Sequence, residues 1–122
     1  MASFLINFLP VDAEAVEAGT RRQVIRQHRK DGKRIRVGDN LKLYKSLRTS
    51  FGRLIKEVRC AEVMSLRLDL RSGLLVIDGQ KQDADTLHDL AVREGYVDGW
   101  HLRHQLGAQH HVDEFEGYCA RW

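Results

Sequence analysis

Residues 65–79 have the sequence Ser-Leu-Arg-Leu-Asp-Leu-Arg-Ser-Gly-Leu-Leu-Val-Ile-Asp-Gly, and this stretch decides the fold class. Leu66, Leu68 and Leu70 alternate with charged residues, which is the period of a strand with one buried face. The turn at residues 71–73 leads into a second apolar run, which ends at residues 78–79. We therefore predict a β-hairpin, one of several short strands in this chain.

Three further segments have the composition of strands, at residues 3–9, 40–46 and 115–122, and the first strand of the hairpin is the end of a longer predicted strand over 53–70. The alternation slips at 61–63, which predicts a bulge of the kind that curves a sheet into a barrel. Helices are predicted over 13–18, from 83 or 85 to 93, and after 98 to 107, with N-caps at Asp12, Asp83 or Asp85, and Asp98. Residues 20–38 are polar and basic, and predict an extended loop. This order indicates an α+β domain built on a small curved sheet or barrel.

The chain has 122 residues, a length that predicts one domain over residues 1–122. A hydrophobic fraction of 43% with 30% charged residues excludes the disordered and fibrous classes. No apolar run approaches the roughly 18 residues of a membrane helix, and the N-terminal segment lacks the basic start of a signal peptide. Cys60 and Cys119 lack metal-binding spacing. We therefore expect reduced thiols in a cytoplasmic protein that has no membrane partner.

The charges are segregated along the chain. Residues 20–59 contain 14 Lys or Arg against three acidic residues, a net charge of +11, while the rest of the chain carries −8. A local excess of this size attracts polyanions such as nucleic acid or a nucleotide phosphate. A solvated basic loop without a partner would give the same pattern. The binding hypothesis requires the cationic side chains to converge on one opening.

Three stretches together resemble the ASCH domain family. Residues 15–26, Ala-Val-Glu-Ala-Gly-Thr-Arg-Arg-Gln-Val-Ile-Arg, are similar to the family's I-x-x-G-x-K-x-x-T-I-R motif. Residues 36–44, Arg-Val-Gly-Asp-Asn-Leu-Lys-Leu-Tyr, with Arg48 after them, are similar to G-D-x-l-x-l followed by an arginine. Residues 91–100, Ala-Val-Arg-Glu-Gly-Tyr-Val-Asp-Gly-Trp, are similar to the family's helical A-x-x-E-G-F segment. The agreement in order and spacing carries the resemblance more than any single motif does.

The resemblance implies a small PUA-like β-barrel, the ASCH fold, with two or three flanking helices. It also implies a cleft that binds RNA or a modified nucleoside, and a phage or bacterial source. Some members resemble amidohydrolases that use a Lys, a Thr and a Glu. Here Arg21 and Val24 replace the Lys and the Thr, while Glu94 keeps the acidic position. Val24 has no nucleophilic oxygen and Arg21 is a poor proton acceptor, so that mechanism cannot run on these residues.

The predicted site follows from the basic segment and the resemblance. Arginine forks and ammonium groups can bind phosphate, a glutamine can contact a base edge, and an exposed aromatic ring can stack on a base. Two alternatives stay open: an ion pair of Arg26 with Glu94 or Asp39 is equally consistent with the sequence, and so is a core position for Tyr44. The predicted nucleic-acid-binding residues are Arg21, Arg22, Gln23, Arg26, Lys42, Tyr44, Lys45 and Arg48, and Glu94 is the one catalytic candidate.

Three further sets of residues are candidates for other chemistry or for the core. The histidines at 101, 104, 110 and 111 have loose spacing for zinc, which favours a surface cluster and no metal. Trp100 falls on an apolar stripe with Leu106, which predicts a core position. His28 is the one imidazole near the basic segment, and it is a candidate acid or base for a metal-independent ribonuclease.

These observations favour a module that binds RNA or a nucleotide in a basic cleft and needs no cofactor. An enzyme acting on RNA or on a modified nucleoside, as a ribonuclease or an amidohydrolase-like protein, is one alternative. A phage protein that binds a host protein is the other.

Overall fold

The computed structural model describes residues 1–122 and contains three helices and eight strands. The elements in chain order are β1 (Ser3–Phe8), α1 (Pro10–Ala18), β2 (Gln23–Gln27), β3 (Asn40–Lys45), β4 (Arg53–Arg59), β5 (Glu62–Asp69), β6 (Leu75–Ile77), β7 (Gln80–Lys81), α2 (Ala84–Glu94), α3 (Gly99–His110) and β8 (Glu114–Arg121). The predicted α+β class is confirmed. None of the three helices combines the length and the apolar character that crossing a bilayer demands.

The strands form two sheets, and the closed barrel that the resemblance implies is absent. One sheet has the order β1-β3-β4 and the other the order β2-β8-β5-β6-β7. The predicted strand over 53–70 is in fact two strands in different sheets. The break falls at residues 60–61, where the amide of Cys60 donates to Asp39 O at 2.9 Å and the amide of Ala61 donates to Arg121 O at 2.8 Å. A change of hydrogen-bond partner therefore replaces the predicted bulge.

The chain divides into two compact units, each assembled from discontinuous segments. Unit 1 contains residues 1–22, 35–63 and 120–122, and unit 2 contains residues 23–34 and 64–119. The division therefore does not separate consecutive sequence domains.

Unit 1 contains the three-stranded sheet and α1. Strand β1 runs parallel to β3, and β4 runs antiparallel to β3 with a bulge between Leu43 and Tyr44. Alternate residues of β1 and β3 are buried, and Ala13 and Val16 of α1 are buried with them. Apolar burial of this kind stabilises a fold by about 25 cal/mol per Å². Helix α1 begins earlier than predicted, because Pro10 occupies the first helical turn and Leu9 is the N-cap. Asp12 is therefore not the cap, and its side chain is available to pair elsewhere.

Unit 2 buries one face of its sheet against α2 and α3. Its core contains Ile25, Leu66, Leu68, Leu75, Leu87, Leu90, Leu102, Leu106, Phe115 and Cys119. The predicted hairpin is confirmed, since Leu66 pairs with Ile77 and Leu68 with Leu75. The caps at Asp83 and Asp98 are also confirmed, because their carboxylates accept from Thr86 N and His101 N at 2.8 and 2.9 Å.

The predicted loop over 20–38 contains a strand. Residues 23–27 form β2, and Gln23, Val24 and Ile25 are all buried. The strand was not predicted because arginines flank it and the polar Gln23 breaks its apolar pattern. Its burial is possible because the Gln23 amide finds buried hydrogen-bond acceptors in the same unit.

Candidate nucleic-acid interface

The predicted binding residue Arg21 lies inside unit 1. It is 7% exposed, its Nη1 lies 3.3 Å from Asp12 Oδ1, and its guanidinium carbon lies 5.1 Å from the centre of the Phe8 ring. A buried arginine needs a carboxylate partner, and stacking on an aromatic ring stabilises it further. The neighbouring Arg22 is exposed, and its Nε donates to Trp122 O at 2.9 Å. Both arginines therefore make contacts that hold unit 1 together.

Gln23 and Glu94 form a buried hydrogen-bond cluster in unit 2. The Gln23 amide nitrogen donates to Glu94 Oε1 and to Leu90 O, each at 3.1 Å. The backbone amide of Ile25 donates to Glu94 Oε2 at 3.0 Å. Both carboxylate oxygens thus accept hydrogen bonds that connect the end of α2 to β2. The half-buried Arg26 donates to Ile25 O at 3.0 Å.

Lys42 and Lys45 lie on opposite faces of the three-stranded sheet. The α1 face buries Leu41 and Leu43, so Lys42 and Tyr44 project from the other side. Lys45 lies on the helix side, opposite Arg53 in the strand register. There the hydrogen bond and charge of Arg53 hold the pKa of Glu17 below its usual value, and Lys45 and Lys56 add to the effect. The structure therefore groups Lys42 with Tyr44 and separates both from Lys45.

The face of the sheet that α1 leaves uncovered is called the open face here. Its side chains form three rows across the strands: Ser3, Asn40 and Arg59; Leu5, Lys42 and Glu57; and Asn7, Tyr44 and Leu54. Leu5 is 53% exposed and Leu54 is 42% exposed, so the face is in contact with solvent. It carries two cations, Lys42 and Arg59, among polar and apolar side chains, and Glu57 is its one carboxylate.

A short loop of residues 46–52 extends the open face at the Tyr44 end. The amide of Leu47 donates to Asn7 Oδ1 at 2.7 Å, and the amide of Ser46 donates to Phe8 O at 3.1 Å. The loop carries Arg48 and an 82% exposed Phe51. Its position is fixed by hydrogen bonds to β1, so these two side chains are presented from a defined backbone.

Three cations of this surface have no carboxylate within salt-bridge distance: Lys42, Arg48 and Arg59. Two exposed arginines of the basic segment, Arg29 and Arg53, are instead paired with carboxylates. Arg53 Nη2 lies 2.8 Å from Glu17 Oε2, and Arg29 Nη2 lies 3.0 Å from Asp31 Oδ2. Of the residues predicted from sequence, Lys42 and Tyr44 thus share the open face, and Arg48 lies in the loop that adjoins it. Arg59, Leu54 and Phe51 were missed, although β4 would have shown Arg59 had its register been predictable.

The histidine-rich helix α3 differs from the prediction at Trp100. The ring is 58% exposed and not part of the core, and it stacks on His104 with centroids 5.1 Å apart. The stripe prediction is wrong because Leu102 and Leu106 fill the core face of α3, and Trp100, two residues before Leu102, lies about 200° around the helix from it. His101 Nδ1 lies 2.7 Å from Asp98 Oδ1. No group of three or more side chains suited to a metal ion comes together in the chain.

His28 occupies a partly buried position in unit 2. Its ring lies 6.2 Å from the ring of Tyr118, and its Nδ1 is buried without a hydrogen-bond partner. Burial lowers the pKa of His28, Arg34 lowers it further, and Glu116 opposes the shift. The imidazole is therefore held in its neutral form to lower pH than a free histidine.

A shallow groove of about 310 Å³ lies along α1, lined by Val11, Glu14, Ala15, Ala18 and Thr20. Its one charged lining residue is Glu14, so it is unsuited to a phosphate.

The chain matches no family model, no curated protein and no solved structure.

Proposed function

We propose that the protein binds nucleic acid or a nucleotide, and that RNA is its natural ligand. The open face and the loop at residues 46–52 form the binding surface. One observation carries the proposal: Lys42, Arg48 and Arg59 lack carboxylate partners, and a half-buried aromatic ring, Tyr44, lies on the same face as Lys42 and Arg59. When unpaired cations neutralise phosphates, the nucleic acid releases its condensed counterions, and this release is a main source of affinity for polynucleotides.

The geometry suits a phosphate chain. Side chains two residues apart on a strand lie on one face about 6.7 Å apart, so Tyr44 and Lys42 are neighbours along β3. Arg59 lies across the sheet from Asn40, one row beyond Lys42. A base on the Tyr44 ring would therefore place its backbone within reach of these cations, and a guanidinium can contact two phosphate oxygens at once.

The resemblance to ASCH domains supports the same function. Membership of that family, a PUA-like relationship of the fold, a phage source and a cytoplasmic location are parts of the proposal. Both cysteines are free, which is compatible with a reducing compartment. Catalysis is left out of the proposal, because both oxygens of Glu94 accept hydrogen bonds within unit 2.

The test is the salt dependence of RNA binding, measured by fluorescence anisotropy of a labelled oligonucleotide. Three phosphate contacts to a single strand predict a slope of about −2 in log affinity against log salt. Lys42→Gln should reduce the slope by about 0.7 and lower affinity about fivefold. Lys45→Gln is the matched control, since it removes the same charge from the same strand on the opposite face. Wild-type binding that ignores salt, or equal losses in the two variants, would refute the proposal.

A further inference from the structure

The open face is broader and more apolar than a surface that binds duplex backbones needs to be. Leu5, Tyr44 and Leu54 occupy adjacent positions in two of its rows, and Phe51 on the loop is 82% exposed. Covering these side chains would remove apolar surface from water, which is favourable, but phosphate groups are too polar to cover them. Unpaired bases can cover them, because every base has an apolar face that stacks on an aromatic ring.

The shape of the sheet also disfavours a duplex. Strands lie about 4.8 Å apart, so three of them span about 10 Å between outer axes before side chains are added. The major groove of B-DNA is about 12 Å wide and admits a helix or a two-stranded ribbon, and that of an RNA helix is deep and narrow. A three-stranded face with its side chains is therefore wider than the two-stranded ribbon that a major groove admits.

The loop supplies a second aromatic position at a fixed place. It joins β3 to β4 just beyond the Tyr44 row, and the side chain of Asn7 on β1 holds its backbone at Leu47. Phe51 and Arg48 thus belong to a loop that adjoins the end of the open face where Tyr44 lies. A fixed loop loses little conformational entropy on binding, which favours affinity.

We infer that the ligand of the open face is a single-stranded polynucleotide whose unpaired bases stack on Tyr44 and Phe51. The inference rests on the proposed function and adds the requirement for unpaired bases. RNA and DNA single strands share this chemistry, so both belong in the test.

The experiment compares a labelled ten-nucleotide RNA, the DNA of the same sequence, and the corresponding duplex at one salt concentration. The single strands should bind at least about tenfold more tightly than the duplex. Tyr44→Ala should weaken single-strand binding by about tenfold or more and leave duplex binding unchanged, whereas Tyr44→Phe should retain affinity. Trp100→Ala is the control, since it removes an exposed aromatic ring from unit 2. The RNA and the DNA single strand should both show this preference over the duplex, because every base has a face that can stack.

Phe51→Ala gives a second test that does not depend on the packing of Tyr44, because its side chain is almost fully exposed. It should weaken single-strand binding about fivefold. Duplex affinity equal to that of the single strands, with Lys42→Gln still weakening both, would overturn the inference and leave the proposed function standing. No binding of any polynucleotide would overturn both.

Discussion

Each unit of the protein exposes one face of its sheet, and the two faces treat their cations differently. On the open face of unit 1, Lys42 and Arg59 have no carboxylate within salt-bridge distance. On the exposed face of unit 2, Arg67 Nη2 lies 2.9 Å from Glu114 Oε1 and its Nε lies 3.5 Å from Glu116 Oε1. The open face therefore carries unpaired positive charges, whereas the charge of Arg67 on the other face is neutralised by carboxylates.

We expect the pairing of cations to decide what a basic surface can bind, and the density of basic residues along the chain to matter less. The segment 20–59 carries a charge of +11, yet Arg21 and Arg53 of that segment are paired with Asp12 and Glu17. Exposed pairs contribute little to stability, about 0–1 kcal/mol, but they cancel the field that would attract phosphate. The number of unpaired Lys and Arg side chains on one face is therefore a better guide to phosphate binding than the charge of the segment.

The largest effect expected in testing this comparison comes from the loop beside the open face. Gly52 has no room for a side chain, because a Cβ would lie 2.8 Å from Ser46 O and 3.0 Å from Leu47 O. Gly52→Ala must displace backbone, and we expect it to lower the free energy of unfolding by about 1–3 kcal/mol. The displaced loop would misplace Arg48 and Phe51, and RNA affinity should fall about tenfold.

Gly79→Ala is the matched substitution in unit 2. Gly79 has φ +83 with open space around its Cβ position, so alanine costs about 1 kcal/mol in backbone strain. Thermal unfolding should register both substitutions, whereas anisotropy with RNA should register Gly52→Ala alone. A loss of RNA affinity in Gly79→Ala as large as that in Gly52→Ala would remove the distinction between the two faces.

A smaller effect comes from the one carboxylate on the open face. Glu57 lies opposite Lys42 in the strand register, and its Oε2 accepts from Asn40 Nδ2 at 3.4 Å. Removing its charge should raise RNA affinity about threefold, since a unit charge about 6 Å from a phosphate in water contributes about 0.7 kcal/mol. The measurement compares Glu57→Gln with Glu116→Gln on unit 2. The second variant leaves Arg67 paired with Glu114 and should bind RNA as the wild type does.

Much of the fold was predictable because local signals sufficed. The alternation of Leu66 and Leu68 and the caps at Asp83 and Asp98 depend on neighbours in sequence, and the structure confirms each of them. Strand β2 was not predictable, because Gln23 is buried only through acceptors that lie at Leu90 and Glu94, about 70 positions later.

The candidate site was predictable only in part. The period of β3 places Lys42 and Tyr44 on one face from sequence alone. The same rule puts Lys45 on the other face, where Glu17 lies, but that carboxylate is recognised as a neighbour only when α1 is packed. The contribution of Arg59 depends on the bulge at Leu43 and Tyr44, which sets the register of β4. Registers and ion pairs of this kind require tertiary structure.

The smallest expected effect is a difference between the two units in the pH at which stability begins to fall. Burial and Arg34 lower the pKa of His28 in unit 2 from 6.5, whereas hydrogen bonds from Arg36 N and Ala2 N lower the pKa of Asp39 in unit 1 from 3.8. Between its folded pKa and 6.5, His28 binds more protons in the unfolded chain. Its contribution to stability is therefore complete above pH 6.5 and is lost as pH falls below that value. The contribution of Asp39 is complete above pH 3.8 and is lost only below it.

Amide hydrogen exchange between pH 7.5 and pH 4.5, corrected for intrinsic rates, should consequently show protection declining in unit 2 before unit 1. His28→Gln should abolish the early decline, since glutamine does not titrate, whereas Asp39→Asn should leave it in place. The proposed RNA binding at the open face involves residues of unit 1 and should not follow the His28 titration. The contrary result is a simultaneous fall of protection in both units near pH 6.5, in the wild type and in Asp39→Asn. The two units would then share one unfolding equilibrium, and only the charges of the two faces would distinguish them.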